Sequence, residues 1–564
     1  VQEYPTAATT GWKRDLILLT LAIGLLLGYN LGNRALWQPD EGRYAEIPRE
    51  MLVSGDLVTP RLNGVKYFEK PPLFYWLQVS AIKTFGLNEW ALRMWPALLA
   101  LIGCLATYVT GRRLYNRRTG LIGATVLATS LLYYQMGRII TLDMAVSVFL
   151  TIALFAFLLG TREPPGTRRR LYLYTFYLLA ALATLTKGLI GIVIPGMIIG
   201  TWILLLNRWR LLKEIHLPTG LALFLLVAAP WHVMVSNANP EFLNFYFIHE
   251  HFLRFTTKIH RRYEPVYFFV PVLIVGLLPW VAFLAQAMRF SLPPSWGERQ
   301  EHKESLFLLL WVVLIFAFFS TSDSKLVPYI LPLFPPMALL LGRYLGAAWD
   351  GEPVRGLRTG FWIVLGLCTV VAAILFVMPR EGAAYAKLVE YNQILSYYFY
   401  AVAVIWAVGG ALTFLLSWFR FRLAFLALTG TTVAFLVALN AGLPLMDNRN
   451  SSKELAVTLR PFLAPETEVM SYHEYLQDLP VYLERRVTVV GYKGELAFGA
   501  DNEDVDGWMI DEDAFWQRWQ SPATVYMLTK RTIYDQLRAD NRGTFVLLAE
   551  SGKHVLLTNH GNRP

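Results

Sequence analysis

Ile139-Ile-Thr-Leu-Asp143-Met-Ala-Val-Ser-Val-Phe-Leu-Thr-Ile-Ala-Leu-Phe-Ala-Phe-Leu-Leu-Gly160 is the stretch on which the fold turns. At 1.5 Å per residue it is long enough to cross about 30 Å of hydrocarbon, and past Asp143 it holds no charge. It is not alone. Similar apolar runs occupy residues 16–31, 91–111, 119–136, 171–186, 188–206 and 217–235, and later 266–288, 305–320, 327–347, 360–378, 395–417 and 423–442. The expected architecture is an α-helical integral membrane protein of about thirteen spans. Residues 1–445 form the membrane domain.

Composition agrees: 55% of the 564 residues are hydrophobic, 14% aromatic and only 16% charged, more apolar surface than a soluble core can hide. The net charge of +10 does not imply nucleic acid, because most Lys and Arg sit in short loops where they orient helices. The basic residues alternate as topology demands. Arg112, Arg113, Arg117 and Arg118 fall in one loop, Arg168 to Arg170 in another and Arg208, Arg210 and Lys213 in a third. Arg343, Arg355, Arg358, Arg420 and Arg422 follow. These loops are expected inside, with a cytoplasmic N-terminus. The run from Leu16 has a charged start but no cleavage site, so it stays as a helix. An odd number of spans then puts loops 34–90 and 236–265, and everything after Leu443, at the outer face. Cys104 and Cys368 lie within apolar runs and are expected to pack as small hydrophobes.

From residue 446 to 564 the character changes to short β-rich runs, Glu468–Tyr472, Val487–Val490, Thr524–Leu528 and Thr544–Leu548, between helical or polar stretches. This reads as a small α/β domain. No repeat is visible, which argues against an inverted-repeat transporter.

Chemistry is sought where charge gathers without a topological reason. Trp37-Gln-Pro-Asp40-Glu41-Gly-Arg43 places two adjacent acids beside the outer surface. Either Asp40 caps a helix favoured by Glu41, or Asp40 faces a reaction centre. Amphipathic stretches around Ile47–Val53 and Pro72–Phe85 are expected at the interface, where they shape a groove for a lipid tail. Tyr67-Phe68-Glu69-Lys70 lies between them. Asp143, about one turn into a span, is costly there unless it faces a wet cavity or pairs with Arg138. Lys187 either joins that site or snorkels to the interface. In His249-Glu-His251-Phe-Leu-Arg254, the i, i+2 histidines lack the i, i+4 spacing of a helical metal pair. A divalent ion such as zinc shared by His251 and Glu69 stays open beside a simple hydrogen bond. Asp504-Val-Asp506 has a D-x-D spacing but sits in an acidic, solvated run.

An acidic pair after the first helix, an acid at the fourth and Glu250-His251-Phe-Leu-Arg254-Phe255 in a later outer loop together resemble the GT-C membrane glycosyltransferases, close to protein O-mannosyltransferases. Lys66-Tyr67-Phe68-Glu69-Lys70-Pro-Pro-Leu, Leu185-Thr-Lys187-Gly188, Ser471-Tyr-His-Glu-Tyr-Leu-Gln-Asp478-Leu-Pro-Val-Tyr482-Leu and Glu495-Leu-Ala-Phe-Gly499 look like the undecaprenyl phosphate–aminoarabinose:lipid A transferases. That resemblance implies a polyprenyl-phosphate aminoarabinose donor, a lipid A phosphate acceptor, membrane lipids as the medium and inversion at the sugar. It implies a periplasmic site in the inner membrane, in a protein expected to be a monomer. Asp40 and Asp143 are then the catalytic candidates. Glu41, Arg43, Tyr67, Lys70, Arg138, Lys187 and Arg254 are candidates for gripping donor and acceptor, with no cofactor required beyond the open question of the metal. A mannosyltransferase, a lipid-linked-sugar flippase and a non-catalytic scaffold are the alternatives.

Overall fold

The computed structural model describes residues 11–253, 264–381 and 394–560. A helix, or a broken pair of helices, stands at every expected span. In chain order these begin with α1 (Trp12–Gly28). Two further helices in the loop 34–90, α2 (Asp40–Ser54) and α3 (Leu73–Phe85), are followed by α4 (Glu89–Leu114) and α5 (Arg117–Ala128) with α6 (Leu131–Met136). Next come α7 (Leu142–Gly160), α8 (Thr167–Lys187) and α9 (Ile190–Leu206). Helices Leu217–Ala238, Phe269–Gly276 with Leu284–Ser291, Lys303–Thr321, Phe334–Asp350, Leu357–Glu381, Ile394–Ser417 and Phe421–Gly442 complete the bundle.

By length and composition alone, eight helices among the described residues can cross a membrane, or nine if the pair bent by 104° at Phe269–Ser291 is one span. The shortfall from thirteen is physical. The first turn of α8 is spent on Arg168, Arg169 and Arg170, and α9 has only 17 residues. The span at 119–136 breaks where Thr129 and Ser130 donate to the carbonyls of Thr125 (2.6 Å) and Val126 (2.7 Å), which bends a helix. At the centre stands α7, with 94% of its apolar window buried, whereas Leu357–Val377 turns all but 22% of its window outward to lipid.

In the tail, a six-stranded sheet runs in the order β5-β4-β3-β6-β8-β7, where β1 (Arg61–Leu62) and β2 (Val65–Lys66) are a small hairpin in the loop 34–90. The sheet strands are β3 (Glu468–Tyr472), β4 (Thr488–Val490), β5 (Met509–Ile510), β6 (Val525–Lys530), β7 (Val546–Ser551) and β8 (His554–Thr558). The first four are parallel, and the β7–β8 hairpin closes one edge antiparallel to β6. Alternation along the strands splits the core, as period-2 side chains require. Met470, Tyr472, Val490, Met527 and Leu557 pack on Phe515, Trp519, Tyr534 and Leu537. Val469, Val489, Leu528 and Leu556 join the apolar cluster that continues into the membrane bundle.

Helix α2 is the seam between these parts. The residues from Glu41 to Arg49 are all buried, so this helix is enclosed by protein rather than laid on a lipid surface. It packs so closely on the tail that a Cβ at Gly42 would stand 2.4 Å from the Asp478 backbone nitrogen. Asp478 is fully buried and accepts from Ser451 Oγ (2.7 Å), Ser452 N (2.7 Å), Ser452 Oγ (2.9 Å) and Gln38 Nε2 (2.6 Å). Farther out, the Asn63 side chain exchanges two 3.0 Å bonds with the Val487 backbone.

Because backbone cannot retreat as a flexible side chain can, Gly42→Ala is expected to cost about 1–3 kcal/mol. Thermal unfolding in detergent should fall accordingly, and limited proteolysis should cut faster between the last membrane helix and β3.

Candidate active site

The site is built around one carboxylate. Glu41, 1% exposed, takes Arg93 Nε (2.9 Å) and Nη2 (2.9 Å) in a two-pronged pair, then Arg34 Nη2 (2.8 Å) and the backbone nitrogens of Trp37 (3.0 Å) and Ile140 (3.2 Å). Arg93 spends its remaining donors on the carbonyls of Leu31, Arg34 and Ala35. With two guanidiniums against it, Glu41 is held at a pKa of about 2 despite its burial. Its oxygens are therefore engaged, and Glu41 positions the loop instead of contacting a substrate as the sequence led us to expect. The Ile140 bond ties the start of α2 to the entrance of α7, three residues before Asp143. Both Asp40 and Asp143 then lie within electrostatic reach of Tyr44.

One residue before Glu41, Asp40 keeps 54% of its side chain exposed, 3.7 Å from Arg43. Arg43 is buried, and its Nη2 meets Glu495 of the tail at 2.6 Å. Glu495 also accepts from Gln477 (2.7 Å), and burial pushes its pKa up against the pull of Arg43. Around them, Glu69 and Lys70 turn their side chains toward one another at 4.0 Å, and Lys70 also donates to the Glu69 carbonyl. Arg43 Nε and the hydroxyls of Tyr67, Tyr75 and Tyr475 are buried yet have no hydrogen-bond partner among the described residues. These unmet polar atoms gather around Arg43 and Glu495, as in a site shaped for a polar ligand.

Asp143 stands in the first turn of α7, where the helix dipole favours an acid. Its partner is Lys187, at the end of α8, and not Arg138. The Lys187 ammonium also lies 4.6 Å from the centre of the Tyr329 ring. Arg138 is occupied elsewhere: Nε bonds Asn440 (2.9 Å), Nη2 bonds the Tyr29 carbonyl (2.5 Å) and Nη1 bonds the Leu27 carbonyl. It holds the last carbonyls of α1, which α1 itself leaves unpaired, so this arginine is a brace rather than the expected substrate contact. Arg254 lies outside the described residues, as does the side chain of His251. Among the described residues no group of three metal-ligating side chains occurs, and Asp504 and Asp506 form an exposed turn joined by a 3.3 Å bond.

Arg93 and Tyr329 were not singled out from the sequence, and Glu495 only as the head of the Glu495-Leu-Ala-Phe-Gly499 stretch that carries the resemblance. Arg93 was visible in principle, as an arginine inside an apolar run. The pairing of Glu495 with Arg43 was not, because only the fold brings the two together across more than 440 residues.

Comparison with known proteins agrees with this geometry. Residues 14–246 match the family described as dolichyl-phosphate-mannose-protein mannosyltransferase, and residues 455–559 match the aminoarabinose transferase C-terminal domain. Over 95% of its length the chain is 32% identical to an undecaprenyl phosphate-alpha-4-amino-4-deoxy-L-arabinose arabinosyl transferase of Sodalis glossinidius, covering 96% of that protein. The chain belongs to this arabinosyl transferase family. A second arabinosyl transferase, from Erwinia tasmaniensis, is 31% identical over 90% of this chain and 91% of its own. The crystal structure of ArnT from Cupriavidus metallidurans bound to undecaprenyl phosphate superimposes with a TM-score of 0.82 at 30% identity. That match covers 98% of this transferase and 99% of the other. The Archaeoglobus fulgidus oligosaccharyltransferase, at 13% identity and a TM-score of 0.51, shares the fold alone.

The transferase should show its dependence on Glu41 in acid. A carboxylate whose pKa falls from 4.5 to about 2 on folding stabilises fully above the higher value and loses that contribution as pH drops toward the lower. The wild type should therefore lose stability between about pH 4.5 and pH 2 along a limb that Glu41→Gln lacks, as read by unfolding midpoints across pH. At neutral pH, Arg93→Leu should cost about 3–5 kcal/mol, because it leaves Glu41 buried with half its charge partners gone.

Proposed function

We propose that this transferase moves 4-amino-4-deoxy-L-arabinose from undecaprenyl phosphate to a phosphate group of lipid A, at the outer face of the inner membrane. The observation that carries the reading is the gathering of Asp40, Arg43, Tyr67, Glu69, Lys70 and the Asp143–Lys187 pair at one end of the bundle. The short connections at the other end carry the arginine clusters that mark a cytoplasmic face, Arg112 to Arg118, Arg168 to Arg170 and Arg208 to Lys213, and the tail domain is carried at this end. Both substrates are lipids, so both reach such a site by diffusing in the membrane plane, and neither a nucleotide nor ATP is needed.

In the reaction an oxygen of the acceptor phosphate attacks the anomeric carbon. The bond from that carbon to the undecaprenyl phosphate oxygen breaks, and its electron pair leaves with the phosphate. Arg43 and Lys70 meet the negative charge that develops there, and the Tyr67 hydroxyl is placed to donate to it. A phosphate monoester is largely ionised at neutral pH, so little base catalysis is called for. Asp40 instead orients the acceptor and offsets positive charge on the sugar ring. Asp143, whose Oδ1 takes Lys187, offers Oδ2 to the sugar's ammonium group and so selects an amino sugar over a neutral one. Attack from the face opposite the leaving phosphate inverts the anomeric centre. Adding an amine to lipid A offsets phosphate charge and weakens its attraction for cationic antimicrobial peptides such as polymyxin.

Lipid A mass spectrometry in cells lacking their own transferase tests this. Complementation with the wild type should add aminoarabinose, and Asp40→Asn at equal membrane abundance should reduce addition at least about 100-fold. Unmodified lipid A with donor supplied and wild type expressed would remove the assignment.

A further inference from the structure

At the far end of α7 from the active site lies a second cavity, of about 590 Å³, lined by Arg113, Leu159, Arg162, Glu163, Arg168, Leu171 and Tyr172. Asp143 is in the first turn of α7 and Leu159 in its last, and the 16 residue steps between them at 1.5 Å each separate the two by about 24 Å. The cavity thus opens on the opposite membrane face, where the catalytic groups described above cannot reach it.

Its arginines divide by task. Arg162 builds the wall: its Nη1 donates to the carbonyls of Arg113 (3.0 Å) and Leu114 (3.2 Å) at the end of α4, and its Nε faces Glu304 at 3.5 Å. Arg113 and Arg168 are exposed and, among the described residues, neither is in an ion pair. The guanidinium of Arg113 rests 5.5 Å from the Tyr172 ring centre, which keeps it over the cavity. The lining thus carries three arginines, one of them facing Glu304, and one carboxylate, Glu163. Beside them Leu171, one turn into α8, is 67% exposed. The space suits a headgroup, since a water takes about 30 Å³.

We propose that this cavity binds the headgroup of an anionic phospholipid. The phosphate lies between Arg113 and Arg168, and an acyl chain runs down past Leu171. A basic, half-open cavity between helix ends on one membrane face, with an apolar exit, recognises a phosphate attached to a lipid better than a soluble anion. The bound lipid would lock the α4 end to the α7–α8 turn.

The test is native mass spectrometry of the full-length protein released from mixed micelles containing phosphatidylglycerol and phosphatidylethanolamine. Wild type should retain phosphatidylglycerol preferentially, and Arg113→Gln with Arg168→Gln should weaken retention about 30-fold, the effect of removing two surface cations worth about a factor of five each. The pair Arg358→Gln with Arg420→Gln, in other basic loops, should retain lipid as wild type does, and aminoarabinosyl transfer should persist in both double variants as evidence of folding. Equal retention by the Arg113/Arg168 variant overturns the proposal. So does equal retention of phosphatidylethanolamine, whose ammonium Glu163 would then be holding. Displacement of the lipid by millimolar inorganic phosphate would show a soluble-anion site in its place.

Discussion

The buried contact between Glu41 and Arg93 is the constraint from which the active site follows. A carboxylate in protein interior is tolerated only when its charge and lone pairs are met, and Glu41 meets them with two arginines and two backbone nitrogens. Those donors come from the end of α1, from α4 and from the approach to α7. One side chain therefore fixes the relative position of three membrane helices and the first turn of α2. The neighbouring residue, Asp40, is exposed because Glu41 is not.

On the other side of α2 the tail is held by a second buried carboxylate, Asp478, in the same manner but with hydroxyl, amide and backbone donors in place of guanidiniums. The difference suits the task. Charged donors bind strongly where a pair must hold in low dielectric, while neutral donors satisfy an acid at a junction between two folded parts at less cost in desolvation. Between these two anchors Arg43 is gripped from both sides, by Asp40 on its own helix and by Glu495 from the tail.

The membrane architecture was legible because apolar length and the alternation of arginines are local and additive signals, and so was the α/β character of the tail. The gathering of Asp40, Arg43, Lys70 and Asp143 at one end followed from topology. What sequence could not give was the division of labour within a motif. Asp40 and Glu41 are chemically alike and adjacent, and only the positions of Arg93 and Arg34 separate an exposed acid from a buried one. Arg138 looked like the partner of Asp143, yet Lys187 takes that place, because α1 ends with carbonyls that Arg138 satisfies instead. Glu495 stood in a recognisable stretch, but nothing in that stretch marked Arg43 as its partner. Its role exists only once the sheet has formed and docked.

That last dependence reaches beyond the finished enzyme. The chain is made from its N-terminus, so all the membrane helices and the loop bearing Asp40 emerge before residue 495 does. Until the tail has been synthesised, delivered to its side of the bilayer and folded, Arg43 lacks one of its two carboxylates and the site stays open along α2. A stalled or truncated chain therefore places every membrane helix in the bilayer without the carboxylate that completes the grip on Arg43.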